Sequence, residues 1–371
     1  MPSPARPSPI PAPIPADRKE PLLFAELPAL ARAVPFRALV HAPTPVESAA
    51  AIEGWLGRGG VFHKRDDLVS PLYGGNKVRR FEYLLADAER RGARTLVTVG
   101  GYASTQVMAT VLFGRALGFE VTATLFDQPV TDFARRAVLT DAAGGARLVF
   151  GGGYARTTAR TIQAYHASEK PYLILPGAST PLALLGYVDA MLELGEQVKR
   201  GEAPRPDVIV VPAGSGGTLA ALALGAAILR WPTEVVGVRI TDLIACNRAT
   251  VGFLVASLAR FLNKHGGRSL GVRAADARFT LHHGAIGRGY GYPTPEAAEA
   301  IPMVERLIGV PGEPTYSGKG VAALRVIARE RPKATILYWH TLSSARPALP
   351  LVGPEALSPD FAGVFRGTVA F

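Results

Sequence analysis

Lys77 stands directly behind the turn Gly74-Gly75-Asn76, and Gly214-Ser215-Gly216-Gly217-Thr218 lies far along the chain between an apolar run and a run of small residues. Each stretch has two uses. A lysine in that place is either a basic helix start in water or a Schiff-base amine, which a glycine turn holds still for bonding to an aldehyde. A glycine-rich stretch that enters a helix either turns the chain or aims main-chain N–H groups, with the hydroxyls of Ser215 and Thr218, at a phosphate. No Lys-Ser/Thr pair follows, so it is no Walker loop, and it lacks the Gly-x-Gly-x-x-Gly spacing of a dinucleotide site. Neither stretch decides alone. Together they couple an amine to an anion cradle.

Bringing them to one place needs a framework, and the intervening pattern supplies one. Short β-branched runs predict strands over 61–65, 95–99, 121–126, 147–150, 172–175, 207–212, 234–240 and 336–339. Apolar periodicity predicts helices over 49–56, 81–91, 104–117, 133–143, 155–167, 182–199 and 219–229. Such alternation means βαβ units and a wound parallel sheet, with ligand-facing loops at the carboxyl ends of the strands. The 207–212 run shows no alternation, as expected for a strand buried on both faces.

A chain of 371 residues makes two domains the natural expectation. Its 48% hydrophobic and 19% charged residues are those of a folded protein. The net charge of +11 comes mostly from scattered arginines, with no basic block interleaved with aromatics, so it reads as a solvated basic surface and no nucleic-acid partner is expected. The lone Cys246 leaves no intramolecular disulfide or Cys-based zinc site, and no metal is expected. The longest apolar runs, such as 219–229, fall short of a membrane span. A soluble, cytoplasmic protein is the expectation. Residues 1–15 are dominated by Pro, Ala and Ser and carry no apolar signal region, which predicts an extended or disordered arm over 1–20.

Read together, Lys64-Arg65-Asp66-Asp67, Gly74-Gly75-Asn76-Lys77, the Gly-Gly-x-x-Ser stretch at 100–104 and the cradle at 214–218 resemble the pyridoxal-phosphate enzymes of fold type II, the tryptophan synthase beta-like fold. Gly289-Tyr290-Gly291-Tyr292-Pro293, Glu313-Pro314-Thr315-Tyr316-Ser317-Gly318-Lys319-Gly320 and His340-Thr341 point to the branch of D-cysteine desulfhydrase and 1-aminocyclopropane-1-carboxylate (ACC) deaminase. The resemblance runs in order from about residue 36 to about 345.

The resemblance implies a cofactor, pyridoxal 5'-phosphate, bound through an aldimine with Lys77. Gly214, Ser215, Gly216, Gly217 and Thr218 would hold its phosphate, with Asn76 shaping the lysine turn. Thr341 would lie near the pyridine nitrogen, where a neutral hydroxyl leaves a weaker electron sink that suits β-elimination. Tyr290 and Tyr316 match two active-site tyrosines, with Tyr292 beside them. Ser104 would bind a substrate carboxylate at a helix start, with Thr105 and Gln106 next to it. Thr105 replaces the family's asparagine, which bonds the ring oxygen, and Leu342-Ser343 replaces a glycine pair. Ser317 and Thr341 replace the glutamate and leucine of the deaminase branch.

The implied activity is a lyase releasing pyruvate, ammonia and sulfide from D-cysteine. ACC deamination, action on another amino-acid-like substrate, and cofactor binding without catalysis remain open beside it. The resemblance also implies a homodimer, and two α/β domains: 78–198 inserted as the smaller into a larger one of 21–77 and 199–371.

Overall fold

The computed structural model describes residues 20–371 except 348, 350, 367, 368, 370 and 371. The arm expected over 1–20 therefore lies outside the described residues, save for Glu20. Chain contacts divide the protein into two compact units.

The larger unit comprises residues 20–87 and Gly177–Ala345. Its sheet contains β1 (Val46–Ser48), β2 (Val61–Lys64), β7 (Val208–Ala213), β8 (Glu234–Arg239), β9 (Phe279–His282) and β10 (Ile336–Trp339), in the order β1-β2-β10-β7-β8-β9. Only the β1–β2 pair is antiparallel. The carboxyl ends of the other strands, Lys64, Trp339, Ala213, Arg239 and His282, consequently share one edge. The central strands β7 and β10 are buried at every residue, which is why their sequences are continuously apolar.

Helix α5 (Pro181–Lys199) packs with α6 (Gly217–Ile228) and α7 (Arg248–Lys264) over the core. On the same unit, α8 (Pro295–Ile308) packs against α9 (Ser317–Glu330). Helix α1 (Val78–Arg90) begins directly after Lys77. Beneath its start lies a buried charge cluster. Arg79 pairs with Asp66 at 2.8 Å and Glu193 at 2.9 Å, and Lys64 pairs with Glu193 at 2.7 Å. Tyr187 and Trp339 donate to the same Asp66 carboxylate. Burial works against ionisation of Glu193, but Arg79 and Lys64 hold its carboxyl far below the usual range.

The smaller unit contains Ala88–Pro176 and the chain from Arg346 onward. Its parallel sheet of β3 (Thr95–Gly101), β4 (Glu120–Phe126), β5 (Arg147–Gly152) and β6 (Pro171–Ile174) runs β5-β4-β3-β6, flanked by α2 (Thr105–Ala116), α3 (Asp132–Ala143) and α4 (Tyr154–His166).

The division departs from the sequence expectation at both ends. The boundaries fall at 87/88 and 176/177, because α5 is buried along most of its length against α6 and α7 and so belongs to the larger core. The C-terminal segment, expected in the larger domain, groups with the smaller unit. There Arg135 Nε donates to the Val364 carbonyl at 3.0 Å, and the Phe361 ring meets Tyr102 and Phe150 edge-on.

Candidate active site

Loops at the shared strand edge of the larger unit gather most of the expected residues. The Lys77 turn is stitched from two sides by main-chain bonds: Gly75 N–H donates to Asp66 O at 2.7 Å, and Asn76 N–H to Thr341 O at 3.4 Å. Ser343 adds a third tie, its hydroxyl accepting from Gly74 N–H at 2.7 Å. Gly75 has φ +83°, and a β-carbon there would collide with the Thr341 carbonyl, so the turn requires glycine. Asn76 reaches the cradle, its amide donating to Thr218 Oγ1 at 3.2 Å.

Lys77 itself has no ion-pair or hydrogen-bond partner for its amine among the described residues. Burial, reinforced by the nearby Arg80 charge, pushes its pKa well below that of an ordinary lysine. Burial thereby favours the uncharged amine, which is the nucleophilic form.

The cradle lies where β7 feeds α6. Gly216 takes φ +77° at the helix cap, so the first N–H groups of α6 turn outward with no side-chain cap to occupy them. Ser215 Oγ lies 2.8 Å from Ser179 Oγ. Arg80 completes the constellation. It is fully buried, and its guanidinium donates to Thr218 Oγ1 at 2.6 Å, to Ser179 Oγ at 3.2 Å and to the Gly177 carbonyl, with the Tyr187 ring 5.8 Å away. Among the described residues no carboxylate neutralises it, and burial lowers its pKa to about 10. A buried, unneutralised guanidinium beside a hydroxyl-lined helix start has the chemistry to take a dianion.

Tyr316 and Tyr290 meet above this edge. Their hydroxyls are 3.4 Å apart and their rings cross at 82°. A β-carbon on Gly214 would lie 3.1 Å from the Tyr316 hydroxyl, so the phenol overhangs the start of the cradle. Burial raises the Tyr316 pKa to about 12, which keeps the phenol protonated. Thr241 braces the same point, donating to Gly214 O at 2.7 Å.

Other expected residues have engagements that spacing did not reveal. Thr341 is buried and its carbonyl receives Asn76. Ser317 is buried, and its hydroxyl accepts from Glu313 N–H at 2.8 Å and donates to Glu313 O at 3.1 Å. Tyr292 lies under the Arg288 guanidinium, 4.9 Å from the ring centre.

Ser104, Thr105 and Gln106 belong to the smaller unit, at the passage from β3 to α2. Ser104 is the N-cap of α2, its hydroxyl accepting from Val107 N–H at 3.3 Å. Thr105 opens that helix. The buried Gln106 amide donates to Thr98 Oγ1 at 3.2 Å and Leu175 O at 3.0 Å, tying β3 to the end of β6.

Arg80, Ser179 and Thr241 were not singled out by the sequence, and Ser343 stood out only as a departure from a glycine pair. A signal existed only for Arg80, which stands three residues after Lys77, about one helical turn on, in the first turn of α1.

A family model described as pyridoxal-phosphate dependent enzyme matches residues 38–341. Among solved structures, an ACC deaminase homologue superposes with a TM-score of 0.72 at 30% identity, over 89% of this chain and 97% of its own. The fungal L-serine ammonia-lyase from Rhizomucor miehei gives 0.56 at 18% identity, over 82% and 94%. A T.th. threonine deaminase gives 0.54 at 18%, over 83% and 94%. At that identity the last two attest the fold.

Proposed function

Because the chain belongs to the pyridoxal-phosphate-dependent enzymes of fold type II, in the branch of ACC deaminase and D-cysteine desulfhydrase, we propose that it is a lyase that eliminates a β-substituent from a small amino acid. D-cysteine is the reference substrate; with one water it would give pyruvate, ammonia and sulfide. The observation that carries this reading is the Lys77 amine, unpartnered among the described residues and with its charge disfavoured by burial, on the same strand edge as a glycine cradle beside the unneutralised Arg80.

Those residues fit the cofactor. Arg80, Ser215, Thr218 and the first N–H groups of α6 would hold its phosphate, Lys77 would anchor its aldehyde carbon, and Thr341 offers no carboxylate to the ring nitrogen. When bound, pyridoxal phosphate supplies an aldehyde that takes an amine and a conjugated ring that draws electrons from the substrate α-carbon.

The remaining work falls to side chains. Lys77 Nζ, whose charge burial disfavours, would take the substrate α-proton. The Tyr316 phenol, kept protonated by burial, can donate to a departing thiolate, with Tyr290 as its hydrogen-bonded neighbour. By the family resemblance, Ser104 at the start of α2 would receive the substrate carboxylate, and Thr105 stands where the family has an asparagine.

The 30% identical structure is described as an ACC deaminase homologue, which supports cyclopropane ring opening as the second reading. The absence of a glutamate after Tyr316 favours the first, since Ser317 stands there with its hydroxyl engaged by Glu313. A homodimer in the cytoplasm accompanies either reading.

Purified protein incubated with D-cysteine, L-cysteine and ACC, with pyruvate as the readout, tests the assignment. Turnover of D-cysteine is expected, together with a visible cofactor band that disappears in Lys77→Ala. A band unchanged in that variant removes Lys77 from its role. A chain that shows the band but turns over none of the three substrates is not this lyase.

A further inference from the structure

Lys319 is fully buried in the first turn of α9, and among the described residues no carboxylate lies within ion-pairing distance of it. Its Nζ instead donates to two carbonyls, Ile286 O at 2.7 Å and Gly289 O at 3.2 Å. Both belong to the segment leading into Tyr290. That segment has few restraints of its own: Gly287, Gly289 and Gly291 take φ of +61°, +145° and +77°, and the Gly289 N–H reaches Ile286 O only at 3.4 Å.

The other phenol of the pair rides on the same turn as the lysine. Tyr316 and Lys319 are three residues apart at the start of α9, so one face presents both. Glu313 fixes that turn, its carboxylate accepting from the N–H groups of Thr315 at 2.8 Å, Tyr316 at 2.8 Å and Ser317 at 2.5 Å. A methionine of similar length would fill the space of Lys319 without a desolvated charge, so packing alone does not call for a lysine. What the ammonium supplies, with three donors at the end of a long stem, is a charge-assisted bond to both carbonyls at once.

We propose that Lys319 is a positioning residue: its ammonium clamps the Tyr290 loop to the helical turn that carries Tyr316, and so fixes the spacing of the two phenols. The inference rests on the role given to those phenols above and extends it to what holds them.

Hydrogen exchange on the full-length holoenzyme tests the clamp without reference to turnover. In Lys319→Met, amides over 284–292 should exchange about tenfold faster or more, with α9 and the sheet unchanged, since a charge-assisted pair of bonds is lost locally. Lys319→Gln, which keeps an N–H donor of shorter reach, should fall between and serves where the methionine variant does not fold. In steady state, Lys319→Met should lower kcat at least tenfold with KM little changed. It should cost nothing further in a Tyr290→Phe background, because the lysine acts through that phenol. Unchanged exchange over the loop in both variants overturns the proposal, as does full additivity of the two substitutions. A wild-type protein that turns over no amino acid would defeat the lyase assignment, while the exchange result would still decide the clamp.

Discussion

Arg79 meets the carboxylates of Asp66 and Glu193, whereas Arg80, one residue on, meets only hydroxyls, carbonyls and the Tyr187 ring. Replacing them should therefore have opposite results. Arg79→Leu leaves two buried carboxylates short of a partner and should destabilise the protein by about 3–5 kcal/mol in thermal or urea unfolding. Arg80→Leu removes an unneutralised charge, so the cofactor-free protein should melt no lower than wild type. Cofactor affinity, followed by absorbance titration, should instead fall by about 100-fold, the worth of charged hydrogen bonds to phosphate. At this scale Lys77 and the 214–218 cradle were legible because glycines beside a nucleophile or a helix start have few uses. Arg80 was hidden by its twin: sequence does not tell which of two adjacent arginines finds carboxylates 114 residues away. The Gln106 amide and the Ser317 hydroxyl were opaque for the same reason, since their partners are set by folding.

Among the elements, β2 and β10 are neighbours that bring His63 and His340 together, with ring centres 5.1 Å apart. His63 is lowered to about 4, mainly by burial, and His340 well below its usual 6.5 for the same reason. Both are therefore neutral in the folded protein at neutral pH. The unfolded chain takes up protons below about 6.5 that the folded one refuses, so stability is present above that pH and falls as pH drops towards 4. The slope should approach about 1.4 kcal/mol per pH unit for each histidine. Urea midpoints between pH 7 and 4.5 should show it, and His340→Phe should flatten it. The strands that sequence reading placed are long, apolar or strictly parallel. It missed β1 and β9: Val46–Ser48 is three residues with a central glutamate, and Phe279–His282 is a partly exposed strand at the sheet's end. The helix expected over 49–56 is a 3₁₀ turn, Ala50–Ile52, leading into four helical residues, Glu53–Leu56. The alternating pattern was easiest to follow through β7, and α7, α8 and α9 lay beyond its reading.

For the whole molecule, the chain's return to the smaller unit matters most. Phe361 is 1% exposed and touches the rings of Tyr102 and Phe150, so the C-terminal segment completes that unit's packing. Phe361→Ala should cost about 3–5 kcal/mol, as removal of a buried phenylalanine does, with hydrogen exchange rising in β5 while β7 and β10 stay protected. No periodicity in a Pro- and Gly-rich tail announces such a partner, which is why the division was drawn at the lysine motif and left the tail with the larger domain. The main-chain bonds of the Lys77 turn carry a different consequence. Carbonyls of Asp66 and Thr341 hold Gly75 and Asn76 whatever side chains flank them, so the anchor is largely blind to its neighbours' identities. For directed evolution this separates two searches. A library at Tyr292 can wander among substrates without unseating the cofactor, provided Gly75 is left alone.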